Sequence, residues 1–359
     1  MKLRRLATSG FRNLEPGVVD VDAPLVVFWG ENGQGKTNLL EAIGVLGTLK
    51  SFRASRVAEV VADGATTARV EGLAVTDGDA RRHVWGWGPE GRVLRREERA
   101  VDAVEWLGSL RATTFAPADV ALVRGEPALR RALLDRAVLN LDPAYLLVAR
   151  DFKRVVEQKA ALLRSRRATD ALLDVLDEAQ ARLGAAVAER RRVAITSLSE
   201  PFSRRYAEFS GGESAGVGYR SALGEGDLPT LTRRYARQLA EGRPAEREAG
   251  RVLGGPQRDD LEFRVGKADA RRQASQGQAR SLVLAWKLAE VEVAGGHDES
   301  PLFLLDDLGS ELDPGRAEAL VRLLQGLGAQ VFVTTTDRRF VPATLDALVL
   351  RVQTGRIGA

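Results

Sequence analysis

The sequence predicts an α/β fold: a mixed β-sheet built around a glycine-rich loop, an antiparallel β section beside it, and an inserted, mainly α-helical lobe. Three stretches predict it. Val26-Val27-Phe28-Trp29 reads as a short apolar strand running into Gly30-Glu31-Asn32-Gly33-Gln34-Gly35-Lys36-Thr37-Asn38 and then into a helical pattern to about Thr48. Leu302-Phe303-Leu304-Leu305 is apolar at every position, as a strand buried on both faces of a parallel sheet must be, and it ends in Asp306-Asp307. Between them, from Pro127 to about Tyr206, apolar residues recur three and four apart, the spacing of helices. The expected organisation is a head in two segments, 1–126 and 252–359, interrupted by a helical lobe over 127–251.

Along the chain, residues 2–8 and 17–22 read as strands leading to the strand at 25–29. Residues 68–75 and 82–88 alternate and are joined by Asp77-Gly78-Asp79, a hairpin signal. With 92–96 and 111–115 they make the antiparallel section. Leu129, Leu133, Leu134, Ala137, Val138 and Leu141 form one apolar stripe, and Leu172, Leu173, Val175, Leu176 and Ala179 begin a second; both are read as core packing of the lobe. Asp142-Pro143 and Thr169-Asp170 have the chemistry of helix starts. Gly211-Gly212 breaks the run, a helix follows at about 228–241, and Gly254-Gly255-Pro256 ends the segment. Strand character returns at 261–265, a helix runs from Ala279 to about Val293, and 330–334 is another apolar strand, leading into Thr335-Thr336-Asp337.

Composition narrows the chemistry. At 359 residues, 44% hydrophobic and 28% charged, the chain is an ordinary globular protein of one large domain or two. It has no cysteine, which excludes disulfides and Cys-based zinc sites. His83 and His297, the only histidines, fit packing or surface roles better than ligation. The N-terminus lacks a signal peptide's apolar run and no stretch has membrane-spanning length, so a cytoplasmic protein is expected, with no membrane partner. The net charge of +4 says little about partners, but the arginines cluster, as at Arg130-Arg131, Arg164/Arg166/Arg167, Arg190-Arg191-Arg192 and Arg271-Arg272. Arginine forks suit phosphates; each cluster alone also fits a solvated helix face.

Gly30 to Thr37 fits the phosphate-binding pattern G-x-x-x-x-G-K-[ST]. Its glycines let backbone N–H groups close around an anion, and the helix starting at Lys36 adds its partial positive charge. Lys36 is placed to meet the β- and γ-phosphates of ATP, and Thr37 to hold Mg²⁺. Asp306 emerges at the carboxyl end of its strand, where it can hold the same metal, and Asp307 is placed to orient an attacking water. Downstream, Asp313 caps a helix whose first residue is Pro314. Ser275-Gln276-Gly277-Gln278 opens a second helix with anion-site chemistry. One nucleotide leaves one of these two helix starts idle unless a second copy supplies the Ser275–Gln278 turn to the first copy's loop. A capped helix with no ligand fits the local sequence equally well.

The order of these motifs resembles the ABC-type ATPase head of SMC-like DNA-repair proteins. The match is closer to the RecF family: Phe11-Arg12-Asn13-Leu14, Gly30 to Ala42, Lys50-Ser51-Phe52-Arg53, Phe115-Ala116-Pro117-Ala118-Asp119, Arg130-Arg131, Gly255 to Leu261 and Ser275 to Gln278 all resemble that family, over nearly the whole chain. The resemblance implies an ABC-type ATPase head, with 252–359 carrying the signature turn, the acidic strand end and the D-loop at Ser310–Asp313. It implies ATP contacts at Gly30, Glu31, Asn32, Gly33, Gln34, Gly35, Lys36, Thr37 and Asn38, metal and catalytic roles at Asp306 and Asp307, and a signature role for Ser275, Gly277 and Gln278. It further implies a weak, DNA-stimulated ATPase that closes as an ATP-dependent homodimer on single-stranded, duplex or gapped DNA. RecR and RecO are the implied partners, directing RecA. Asp307 stands where many relatives carry Glu, the signature reads S-Q-G-Q, no glutamine marks the loop near Phe115–Asp119, and Thr336 stands where many ABC proteins have histidine. A transporter-type ABC subunit shares the motifs but needs a membrane partner and a more compact head. A structural SMC-type protein needs sustained heptads, which the helical runs do not supply.

Overall fold

The computed structural model describes residues 1–76, 78–165, 168–295, 300–307, 314–338 and 346–358. Asp77 of the expected hairpin turn, Arg166 and Arg167, His297 and the Leu308–Asp313 segment, with its cap, lie outside them. The chain divides into two compact units, Met1–Val120 with Val283–Ala359, and Ala121–Leu282. The second boundary falls inside the helix Gln276–Gly295.

The first unit holds two six-stranded sheets. In the central sheet the order is Arg356–Gly358, Ala347–Gln353, Leu25–Trp29, Val331–Thr335, Leu302–Leu305 and Ala112–Phe115. All pairs are parallel except the terminal hairpin. Three of these strands are buried at every residue; Leu302–Leu305 is apolar throughout, and the other two carry only apolar residues and threonine. Residues 112–115 were expected in the antiparallel section; they instead form the edge of this sheet, parallel to Leu302–Leu305, where all four residues are buried, whereas the antiparallel section has one face open. The hairpin Ala347–Gln353 and Arg356–Gly358 was not anticipated.

The other sheet runs Gly17–Asp20, Lys2–Ser9, Ala68–Thr76, Asp79–Gly88, Gly91–Arg96 and Arg99–Ala100, antiparallel throughout. Burial alternates along Ala68–Thr76, as one covered face demands. The buried Gln330 side chain joins the two sheets. Its Oε1 accepts from the Leu3 amide at 2.7 Å, and its Nε2 donates to the carbonyls of Leu3, Val21 and Ala23.

The second unit has four long helices, Pro127–Leu141, Tyr145–Arg164, Asp170–Ser210 and Leu228–Ala249, and a three-stranded antiparallel sheet ordered Ala268–Asp269, Asp260–Val265 and Ala215–Arg220. The helix expected at 228–241 continues through Gly242 and Pro244 to Ala249. Ion pairs outweigh the local propensity: Arg243 reaches Asp174 and Asp177, Arg247 reaches Asp170, and Glu246 meets the fully buried Lys159. Strand Asp260–Val265 pairs with Ala215–Arg220, so residues from 252 to 282 fold with the helices. The apolar stripes are only partly core: Leu133, Leu134 and Leu173 are buried, whereas Leu129, Leu172 and Val175 are exposed, because each helix packs along one face only.

Candidate nucleotide site

Register builds the site. Trp29 stands opposite Thr335, and Leu305 stands opposite both Val333 and Phe115. The carboxyl ends of four neighbouring strands thus lie close to one level, and Gly30, Thr336, Asp306 and Ala116 emerge along the same edge of the sheet, where ligands bind in such folds.

At Gly30 the backbone has φ 154°, and a Cβ would sit 2.3 Å from the Val352 carbonyl oxygen, so only glycine lets the loop leave its strand here. The terminal hairpin braces the loop. The Gly355 amide donates to the Gln34 carbonyl at 2.8 Å, and the Thr354 amide donates to Gln34 Oε1 at 2.7 Å. From the other side Asn13 Nδ2 donates to the Gly33 carbonyl at 3.3 Å, and Asn38 Nδ2 donates to Asn13 Oδ1 at 2.7 Å.

Lys36 folds over the loop, its ammonium donating to the carbonyls of Gly30 at 2.8 Å and Glu31 at 2.7 Å. Burial holds it below the ordinary lysine value, opposed by the Asp307 and Asp306 carboxylates. Thr37 Oγ1 donates to Asp306 Oδ1 at 2.9 Å, and Thr334 Oγ1 donates to the same oxygen at 2.7 Å. The Asp307 amide donates to Thr334 Oγ1 at 2.8 Å, and Asp307 itself has φ 56°, left-handed for a residue with a Cβ. These groups line a cleft of about 280 Å³ with the loop residues Asn32 to Asn38, Arg53, Pro117 and Thr336. Gly30 and Glu31 sit behind it, serving Lys36 through their carbonyls.

Asn13, Arg53 and Thr334 were not foreseen as site residues. For Asn13 and Arg53 the signal is Glu41, an acid in the apolar helix Lys36–Thr48 that the structure buries; Thr334, inside the mainly apolar strand Val331–Thr335, offers no comparable signal. A buried carboxylate demands partners. Arg12 supplies a two-point contact, Nε to Oε2 at 2.9 Å and Nη2 to Oε1 at 2.8 Å, and Ser51 Oγ adds a third bond. Glu41 in turn holds the Arg12 guanidinium above its ordinary value. Ser51 Oγ accepts from the Arg53 amide at 2.9 Å, and Arg53 Nη1 donates to Asn38 Oδ1 at 2.7 Å. The Phe11–Leu14 and Lys50–Arg53 blocks are thereby a brace for the loop helix.

Ser275, Gly277 and Gln278 belong to the second unit. The Ser275 amide donates to Gln278 Oε1 at 2.8 Å, and the Gln278 amide donates to Ser275 Oγ at 3.1 Å, a reciprocal capping box. A Cβ at the exposed Gly277 would meet nothing closer than Ser275 Oγ at 3.9 Å, so the fold itself does not require glycine there.

The donor set fits Mg²⁺: the Thr37 hydroxyl and Asp306 carboxylate are hard oxygen ligands beside a phosphate loop. Among the described residues no group of three or more His, Cys, Asp or Glu is placed to hold a metal alone.

A family model described as "AAA domain, putative AbiEii toxin, Type IV TA system" matches residues 25–335. A curated DNA replication and repair protein RecF from Geobacter metallireducens is 38% identical over 94% of this chain and 93% of its own. Another from Myxococcus xanthus is 38% identical over 99% of this chain and 97% of its own. A solved structure of "the recombination mediator protein RecF-ATPrS in RecFOR pathway" has a TM-score of 0.90 at 26% identity, covering 99% of this chain and 97% of that one. An SMC head bound to the C-winged helix domain of ScpA, at 18% identity and TM-score 0.58, shares the fold, which is that of an ABC-type ATPase head.

Proposed function

The chain belongs to the RecF family of DNA replication and repair proteins, and from that membership we propose that it is an ATP-dependent DNA-binding protein whose ATP-bound homodimer clamps DNA. Acting with RecR and RecO, it promotes RecA loading at gapped DNA, and slow hydrolysis, stimulated by DNA, resets it. The supporting observation is the Thr37–Asp306 hydrogen bond at 2.9 Å, which brings the loop threonine and the strand-end acid together beside Lys36. The relatives named RecF set aside the transporter-subunit alternative.

In this reading the amides of Asn32 to Thr37 and the Lys36 ammonium bind the triphosphate. Thr37 and Asp306 would hold Mg²⁺, whose charge, when bound, offsets that of the phosphates. Asp307, fixed through its own amide by Thr334, orients the attacking water. The second copy presents the Ser275 hydroxyl and the bare backbone at Gly277 to the same nucleotide; the absence of any local need for that glycine suits close approach of a ligand. ATP then acts as the shared ligand of two subunits, and loss of the γ-phosphate removes it. Sedimentation with and without ATP and Mg²⁺, on gapped, duplex and single-stranded DNA, tests this. The expected result is an ATP-dependent dimer that retains DNA. A monomer at saturating ATP and Mg²⁺ would sink the proposal.

A further inference from the structure

Gly211-Gly212 reads in the sequence only as a helix breaker. In the structure both are left-handed, with φ 74° and 94°, and they end the 41-residue helix Asp170–Ser210 with the Gly212 amide donating to the Ala207 carbonyl at 3.0 Å. The reversal brings Glu213 back beside the helix that has just ended. There the hydroxyl of the buried Tyr206 donates to Glu213 Oε2 at 2.8 Å, and Ser210 Oγ donates to the Glu213 carbonyl at 3.1 Å. The carboxylate also accepts from Gln278 Nε2, at 3.0 Å on Oε1 and 3.1 Å on Oε2.

This contact has a chemical direction. An ionised carboxylate only accepts hydrogen bonds, so it pairs with the NH₂ end of the Gln278 amide and rejects the oxygen end. That choice turns Oε1 toward the Ser275 amide, which donates to it at 2.8 Å. Ser275 Oγ is then used as an acceptor, by the Gln278 amide at 3.1 Å, and keeps its own O–H to donate outward.

We propose that Glu213 is a positioning residue for the Ser275–Gln278 turn: it selects the Gln278 amide orientation that presents the Ser275 hydroxyl, and it ties the turn to the end of the helix Asp170–Ser210. The proposal rests on the reading that this turn meets a second copy's nucleotide. Through Glu213, a displacement of the long helix changes what the turn offers that nucleotide.

The test compares Glu213→Ala, Glu213→Gln and Tyr206→Phe with the parent chain. Hydrogen exchange at the Ser275 and Gln278 amides is measured without nucleotide, ATP affinity by titration, and ATP-dependent self-association by sedimentation. Glu213→Gln keeps the size but offers both an oxygen and an NH₂, so it no longer selects. In both Glu213 variants, exchange at the two amides is expected to rise about tenfold, with self-association about tenfold weaker and ATP affinity, titrated at concentrations where the chain is monomeric, unchanged. Tyr206→Phe should show the same changes, smaller. Unchanged exchange in both Glu213 variants overturns the proposal. Faster exchange with unchanged self-association overturns the link to the nucleotide. A parent chain that stays monomeric with ATP defeats the shared-nucleotide reading, and the exchange arm still decides whether Glu213 holds the turn.

Discussion

Thr37 and Asp306, 269 positions apart, meet in a 2.9 Å hydrogen bond between hydroxyl and carboxylate. The oxygen that receives it is shared with Thr334, and the Asp307 amide donates to that same Thr334 hydroxyl. One threonine therefore sets the relation between the two acids.

Asp307→Asn should leave ATP binding within about threefold of the parent while lowering the rate of phosphate release by about 10²–10⁴, the range for losing a positioned base. The ATP-bound dimer should accumulate. Phosphate release and nucleotide titration measured on the same preparation check it; parallel loss of binding and turnover would assign Asp307 to binding instead.

Lys36→Met and Ser275→Arg should fail differently. The first removes the cation buried against Gly30 and Glu31 and should abolish nucleotide binding. The second should keep binding and remove ATP-dependent dimerisation. Two variants with the same phenotype would contradict a trans role for Ser275.

Arg130 and Asp260 form a buried two-point pair, at 2.8 and 2.7 Å, inside the second unit. Arg130→Ala leaves the buried Asp260 carboxylate with only the longer Arg220 contact at 3.4 Å and the Leu261 amide, and should cost about 3 kcal/mol in denaturant unfolding of that unit. Arg130→Met combined with Asp260→Leu should recover most of the loss.

His83 is buried against Trp106 with Nε2 3.0 Å from Ser109 Oγ, and burial pushes its pKa down to about 4. The folded value lies below the unfolded one, near 6.5, so the unfolded chain takes the proton first. Stability is full above about pH 6.5 and falls as pH drops toward 4, by about 3 kcal/mol in all. His83→Phe should remove that slope; an equal slope in the variant would place its origin elsewhere.

DNA affinity should fall with salt, with a log–log slope near −0.9 per duplex phosphate contacted. Replacing an arginine that touches phosphate should reduce the slope by about one. Affinity independent of salt would contradict arginine contacts.

Much of the site was legible because its chemistry is local. Gly30 to Thr37 and Asp306-Asp307 each announce themselves within a few residues, and the strand–loop–helix order puts them on one sheet edge. The brace was not legible. Arg12, Asn13, Glu41 and Arg53 act only together, and although an acid in so apolar a helix hints that Glu41 is buried, nothing in that stretch names its partners. The 112–115 strand misled because a four-residue run such as Ala-Thr-Thr-Phe carries no sign of its partner's direction. The helix to Ala249 ran past Gly242 and Pro244 because Arg243, Glu246 and Arg247 find their partners on helices far away in sequence.

The hydrogen bonds from Thr354 and Gly355 to Gln34 bear on how the protein is made. Strand Leu25–Trp29 lies between Val331–Thr335 and Ala347–Gln353, so both its sheet neighbours leave the ribosome long after it does. The glycine-rich loop emerges early, with Asn13 and Arg53 close by in sequence, yet its contact to Thr354 forms only after a further 320 positions have followed Gln34. The loop's sheet is therefore assembled late relative to the loop itself: the strand Leu302–Leu305, which leads into Asp306, and the hairpin that holds Gln34 follow it by well over half of the chain's 359 residues.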